Sequence, residues 1–136
     1  MRKWLFAVGA SMALAMVWPL AAAPDIGYDP HADAFADLAA ATARAEAEGK
    51  LVLVIAGGDW CVWCHYLHAF IERNGEVERA LHDVFVVDQV YVGDENRNSR
   101  FFAQWPQAAG APHFWILSSD GKLLEFKKGG FNMAID

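Results

Sequence analysis

The sequence predicts a single α/β domain built on a mixed central sheet, and three observations carry that expectation. Stretches with helical spacing alternate with short, branched, apolar runs, the pattern of helices packed on a buried and mainly parallel sheet. The last two such runs are joined by Ser119-Asp120-Gly121, a hairpin turn that adds an antiparallel edge. The chain has 136 residues, enough to bury one core and too few for two.

The first 23 residues stand apart from the domain. Met1-Arg2-Lys3 is basic, Trp4 to Leu20 is almost unbroken apolar sequence, and Ala21-Ala22-Ala23 offers small residues to a signal peptidase. That is the layout of a secretory signal peptide over residues 1–23, leaving 24–136 as the domain. Pro24 disfavours a cut directly before it and moves the expected junction a residue or two upstream. An uncleaved membrane anchor is the alternative reading of the same run, which is at the short limit for a span. Both readings place the domain outside the cytoplasm, periplasmic or secreted.

Asp29-Pro30 reads as a helix start, with the aspartate as N-cap and the proline at the first helical position. Phe35, Leu38, Thr42 and Ala45 follow at helical spacing, and Gly49 is a C-terminal stop. Leu51 to Ala56 is branched and apolar without alternation, as expected of a strand buried on both faces. Gly57-Gly58-Asp59 breaks it. A helix is expected from about Cys61 to Arg73, then a short turn at 76–81 and a strand from Val84 to about Val92. A loop at 93–96, a helix over about Arg97 to Gln104 and a stop at Pro106 come next. His113 to Leu117 and Lys122 to Lys128 are the two strands of the hairpin.

Charge and hydropathy narrow the function. Removing residues 1–23 takes away two basic residues and no acidic one, so the net charge falls from −6 to −8. A domain this acidic, without a basic run, lacks the cationic footprint that nucleic acid requires. No second long apolar run exists, which excludes a polytopic membrane protein and leaves no span after signal cleavage.

The two cysteines are the centre of the sequence. A bridge between Cys61 and Cys64 closes a very short loop, and short loops stabilise least, so a purely structural staple is an inefficient use of the pair. A spacing of two residues points to redox or metal chemistry. Both lie where a buried strand gives way to a helix, the end of an open α/β sheet at which sites form. With Cys61 at the helix start, free N–H groups and the positive end of the helix dipole favour its thiolate, the nucleophilic form. Cys64, one turn deeper beside Leu67 and Ile71, is placed to attack a mixed disulfide on Cys61 and release the product.

Asp59-Trp60-Cys61-Val62-Trp63-Cys64 after a buried strand resembles the active site of the thioredoxin superfamily. Gly110-Ala111-Pro112 before a later strand is similar to the family's cis-proline loop. The resemblance covers roughly residues 30–130 and is nearest to exported thioredoxin-like reductases with a tryptophan before the first cysteine. It implies a thiol–disulfide oxidoreductase with Cys61 and Cys64 as a redox-active disulfide and no further cofactor. It also implies a cis Ala111–Pro112 bond, a substrate platform of Trp60, Ala111 and Pro112, protein thiol or disulfide substrates, and a redox partner protein. Two departures stand out. Ile55 occupies the position of a buried acid found in thioredoxins proper, and the family's terminal helix is missing or truncated to the stub Asn132–Asp136.

Two rival readings stay open on the residues. Cys61-Val62-Trp63-Cys64-His65 also spells the c-type haem attachment motif, with His65 as axial ligand. Cys61, His65, His68 and Glu72, with Cys64 beside them, fall on one helical stripe that could hold Zn²⁺ or Cu(I) in a metal-binding chaperone. The redox dithiol is favoured over both: a helical cytochrome has no use for the Gly-Ala-Pro-strand-hairpin. Ligands crowded on one short helix, moreover, close a tetrahedron poorly, and no metal site is expected. His68 reads as part of a solvated face. Trp63, Leu67, Phe70 and Ile71 form a helical stripe expected in the core, as are Phe114 and Trp115 on their strand.

Overall fold

The computed structural model describes residues 25–124 of the chain. The expected signal segment, the end of the expected last strand and the stub Asn132–Asp136 lie outside the described residues. Within them the order is α1 (Ala34–Glu48), β1 (Leu51–Gly57), α2 (Val62–Arg73), α3 (Gly75–Val84), β2 (Phe85–Tyr91), α4 (Ser99–Phe102) and β3 (His113–Leu117). The three strands lie in the order β2-β1-β3, with β1 parallel to β2 and antiparallel to β3. This mixed α/β sheet is the expected fold class. Leu123 adds an isolated antiparallel bridge to Leu117.

Helix α1 starts four residues later than the sequence suggested. Asp29 closes its own small turn, accepting the N–H of His31 at 2.8 Å. Asp33 is the N-cap instead, its carboxylate accepting the N–H groups of Phe35 and Ala36. Gly49 ends the helix in the left-handed region at φ +67°, where glycine carries no side-chain penalty. Ala34, Ala41 and Ala45 are its buried residues, and their small side chains let the helix lie close on the sheet.

Strand β1 is buried on both sides, as its unbroken apolar run required. Val52, Val54 and Ala56 face α1, in one cluster with Val86, Val90, Phe101, Trp115 and Leu117. Leu53 and Ile55 face the other way and pack with Ile26, Tyr28, Cys61, Cys64 and Tyr91.

The antiparallel direction begins earlier than expected, at β3 itself. The cause is the short α4: four residues rise about 6 Å, far less than the roughly 23 Å of a seven-residue strand. The chain leaving β2 at Tyr91, opposite Gly57, therefore never returns to the far end of the sheet. It loops at the same end and enters β3 at His113, opposite Ala56. Pro112 is thereby delivered to the end of β1 that carries the cysteines.

Three aromatic assignments are corrected. Trp63 is 67% exposed and Phe70 54% exposed, so the α2 stripe is not core; only Leu67 and Ile71 of that set are half-buried. No described element packs over the outer side of α2, and its helical spacing therefore buries only the side turned to the sheet. Phe114 is exposed because its strand alternates, with Trp115 and Leu117 taking the inward positions. The expected turn after α2 is a full helix, α3, with Glu76 and Glu78 in its first turn and His82 in its last.

Candidate active site

Gly57 and Gly58 end β1 and turn the chain into α2. A Cβ at Gly57 would stand 2.7 Å from Cys64 Sγ and 2.7 Å from the Tyr28 hydroxyl. Only glycine lets both side chains close over the strand end. Cys61 is the N-cap of α2 and not its first residue: its backbone is extended, and its sulfur accepts the N–H of Cys64 at 3.2 Å. Cys61 and Cys64 are joined as a disulfide with their Cα atoms 5.2 Å apart.

The two sulfurs sit in different settings. On reduction Cys61 keeps a backbone N–H donor and the positive end of the helix, and both stabilise negative charge on it. Cys64 is 1% exposed, against 4% for Cys61, and lies under Leu53 and Ile55.

The residues expected to form the platform converge on this point. The Trp60 indole N–H donates to the Val92 carbonyl at 2.7 Å, which fixes an exposed ring beside the end of β2. The Ala111–Pro112 bond is cis. Ala111 packs against the cluster that contains both cysteines, and Pro112 directly precedes the first residue of β3. Trp60 and Ala111 also line a cleft of about 1060 Å³, whose walls include Tyr91, Phe102, Trp105 and Trp115. Asp94, Glu95 and Arg97 are among its lining residues.

Sequence reasoning missed the segment before α1. Ile26 and Tyr28 are buried against the disulfide. The segment is tied down by Ile26 N–H donating to Asp59 at 3.3 Å, by Gln89 donating to the Ile26 carbonyl at 3.2 Å, and by Asn96 donating to the Pro30 carbonyl at 2.9 Å. Burial raises the Tyr28 phenol above its ordinary pKa, a side-chain hydrogen bond from Gln89 offsets part of that, and the charge of Asp59 adds to it. The hydroxyl therefore stays neutral and keeps its proton. No local pattern announces Tyr28, because the segment has no period.

Other candidate residues are placed elsewhere. The His65 ring bonds the Asp59 carbonyl through Nε2 at 2.7 Å, fastening α2 to the loop before it. His68 pairs with Glu72 at 3.1 Å, one turn along the helix and facing outward. Among the described residues no three His, Cys, Asp or Glu side chains are grouped to hold a metal ion. The sequence's stripe does not converge because His65 and His68 are each turned to another partner.

The buried acid among the described residues is Asp88, on the opposite face of the sheet. It alternates with Val86 and Val90 toward α1, and its Oδ2 has no hydrogen-bond partner. Burial, with the nearby charge of Asp37, pushes its pKa up to about 6.

These features coincide with what known proteins show. A family model described as Thioredoxin-like matches residues 33–119. A solved structure of a disulphide isomerase from Xylella fastidiosa Temecula1 is 30% identical, with a TM-score of 0.63 over 74% of this chain and 78% of that one. No curated protein matches the chain. A mixed sheet, a Cys-x-x-Cys disulfide capping a helix and a cis-proline loop beside it are set against that match, and neither a haem attachment helix nor a metal stripe accounts for them. The chain belongs to the thioredoxin-like family and is a thiol–disulfide oxidoreductase of it.

Proposed function

We propose that this chain is an exported oxidoreductase that exchanges disulfides with protein substrates through Cys61 and Cys64, and is itself turned over by a redox partner protein. The observation that carries the reading is the asymmetry of the pair: Cys61 caps α2 and receives the Cys64 N–H, while Cys64 lies inside the first turn of the helix. In the reduced enzyme the Cys61 thiolate attacks one sulfur of a substrate disulfide. The other substrate sulfur leaves with the electron pair and takes a proton. Cys64 then attacks Cys61 Sγ, the mixed disulfide breaks, and the second substrate sulfur leaves as the enzyme becomes oxidised. The reverse sequence delivers a disulfide.

Trp60, Ala111 and Pro112 serve as the platform on which a polypeptide lies during the exchange. The aromatic cleft that Trp60 and Ala111 line, about 1060 Å³, has room for side chains flanking a substrate cysteine, which supports protein over small-thiol substrates. Export is supported by the basic start, the apolar run and the small residues of positions 1–23. Among the described residues no helix is long and apolar enough to cross a membrane.

Trapping tests the roles. Cys64→Ser should hold partner proteins on Cys61 as stable mixed disulfides, and Cys61→Ser should hold almost none. Equal trapping by the two variants would overturn the assignment. Cell fractionation of the full chain tests export, which fails if the protein stays in the cytoplasm.

A further inference from the structure

We propose that the Tyr28 hydroxyl serves the second half of the exchange, donating a hydrogen bond to the Cys64 sulfur when that sulfur becomes the attacking thiolate. This rests on the reading of Cys64 as the resolving cysteine. The placement is direct. A single point, the Cβ position that Gly57 leaves empty, lies 2.7 Å from both Cys64 Sγ and the Tyr28 oxygen, so the two atoms are at most twice that distance apart. Small rotations about the Cys64 side chain, freed once the disulfide opens, bring the pair into bonding range.

Cys64 needs such a donor. Its surroundings are Leu53, Ile55 and Ile26, and a thiolate buried among apolar side chains is costly without a partner. The Cys64 backbone N–H already serves the other sulfur. The other hydroxyl of the cluster, on Tyr91, stands over Gly93 beside Trp60 instead. On the surrounding elements, Asp59 is an acceptor whose charge opposes a thiolate, and the His65 ring is engaged with the Asp59 carbonyl. On Tyr28's own segment, Asp25 and Asp29 turn their carboxylates back to the N–H groups of Gly27 and His31. Gln89, on β2, donates its amide N–H to the Ile26 carbonyl and so holds the segment that carries Tyr28. When Cys64 gives its proton to water and attacks Cys61 Sγ, the electron pair of the broken bond leaves on the substrate sulfur, which takes a proton from water. Tyr28 keeps its own proton throughout.

The test separates the two half-reactions with dithiobis(nitrobenzoate) on the reduced full-length chain. A first burst of thionitrobenzoate reports attack by Cys61, and a second reports attack by Cys64. Tyr28→Phe keeps the ring and removes the donor. It should slow the second burst about tenfold near neutral pH and raise its pH midpoint by about one unit, the size expected of a hydrogen bond to a charged group. The first burst should stay within about twofold. An unchanged second burst, or equal slowing of both, overturns the proposal. Should Tyr28→Phe fail to fold, 3-fluorotyrosine placed at position 28 decides: its more acidic hydroxyl lowers the midpoint if Tyr28 is the donor and leaves it unmoved if not. A wild-type chain that releases no second equivalent would instead remove the dithiol reading on which the proposal stands.

Discussion

The two faces of the sheet draw on alternate residues of the same strand, β1, yet they are finished differently. Toward α1, Val52, Val54 and Ala56 meet an aromatic lattice in which Phe101 contacts Phe35, Phe102 and Trp105 at centroid distances of 5.2–5.3 Å. Phe102 and Trp105 each reach Trp115 at 5.4 Å. Toward α2, Leu53 and Ile55 meet a disulfide, two buried tyrosines and a peptide segment held by side-chain hydrogen bonds. Trp63, Tyr66 and Phe70 are left on the outside. One face is closed with rings; the other is built around the disulfide, with aliphatic side chains and two tyrosines about it. The disulfide thus packs on the side of the three strands away from Phe101, while Phe102, Trp105 and Trp115 of the lattice also wall the cleft that Trp60 and Ala111 line.

The division can be broken first at the sulfurs. Cys61→Ser should reduce disulfide exchange by about a thousandfold or more, since it removes the nucleophile. Unfolding free energy should fall by no more than about 2 kcal/mol, because the lost bridge closes so short a loop. A denaturant titration showing a larger loss would mean that the disulfide is structural as well.

On the other face the effects should invert. Phe101→Ala empties the centre of the aromatic lattice and should cost about 3–5 kcal/mol in denaturant unfolding. The alkylation rate of reduced Cys61, measured on protein that remains folded, should be unchanged. A change in that rate would show the two faces to be coupled.

Asp88 gives a pH signature to the same face. Its folded pKa is raised to about 6, so the native state holds the proton more tightly than the unfolded chain does. The resulting contribution to stability is complete below the ordinary aspartate range and is lost as pH rises through about 6. Unfolding free energy should therefore drop by about 2–3 kcal/mol between pH 4 and pH 7 from this group, and Asp88→Asn should flatten that slope. An equal slope in the variant would place the titration elsewhere.

The smallest effect is expected on the outer side of α2. Trp63→Ser should alter stability by less than about 0.5 kcal/mol, yet lower the binding of a hydrophobic dye. Unchanged dye fluorescence would locate the exposed apolar surface on another element.

Local signals carried much of this structure. Cys61 and Cys64 between a buried strand and a helix were readable, since spacing and chain breaks are properties of neighbouring residues. So was Gly110-Ala111-Pro112 before β3. Burial was harder to read. The stripe of Trp63 and Phe70 has the period of a helix but says nothing about what covers it, and the covering is a tertiary fact. Asp33 displaced Asp29 as the cap because both precede a helix-forming run, and the choice depends on how residues 25–32 are tied to β2 and the loops. Asp88 keeps the phase of Val86 and Val90, a signal that places it inward. Tyr28 reaches Cys64 across 36 positions of sequence, and no pattern of single residues encodes such a meeting.

The brevity of α4 has a consequence for how this protein could diversify. Because the chain turns back without crossing the sheet, everything between Tyr91 and His113 forms one excursion from a single end of the domain, and that excursion supplies most of the cleft wall. The cysteines belong to a different stretch of chain, anchored by β1 and α2. Substitution at cleft-lining positions of this stretch outside the Phe101 lattice, such as Asp94, Arg97 and Gln107, should therefore change what the cleft accepts and leave the surroundings of the disulfide intact, much as a tool keeps its handle when the bit is changed.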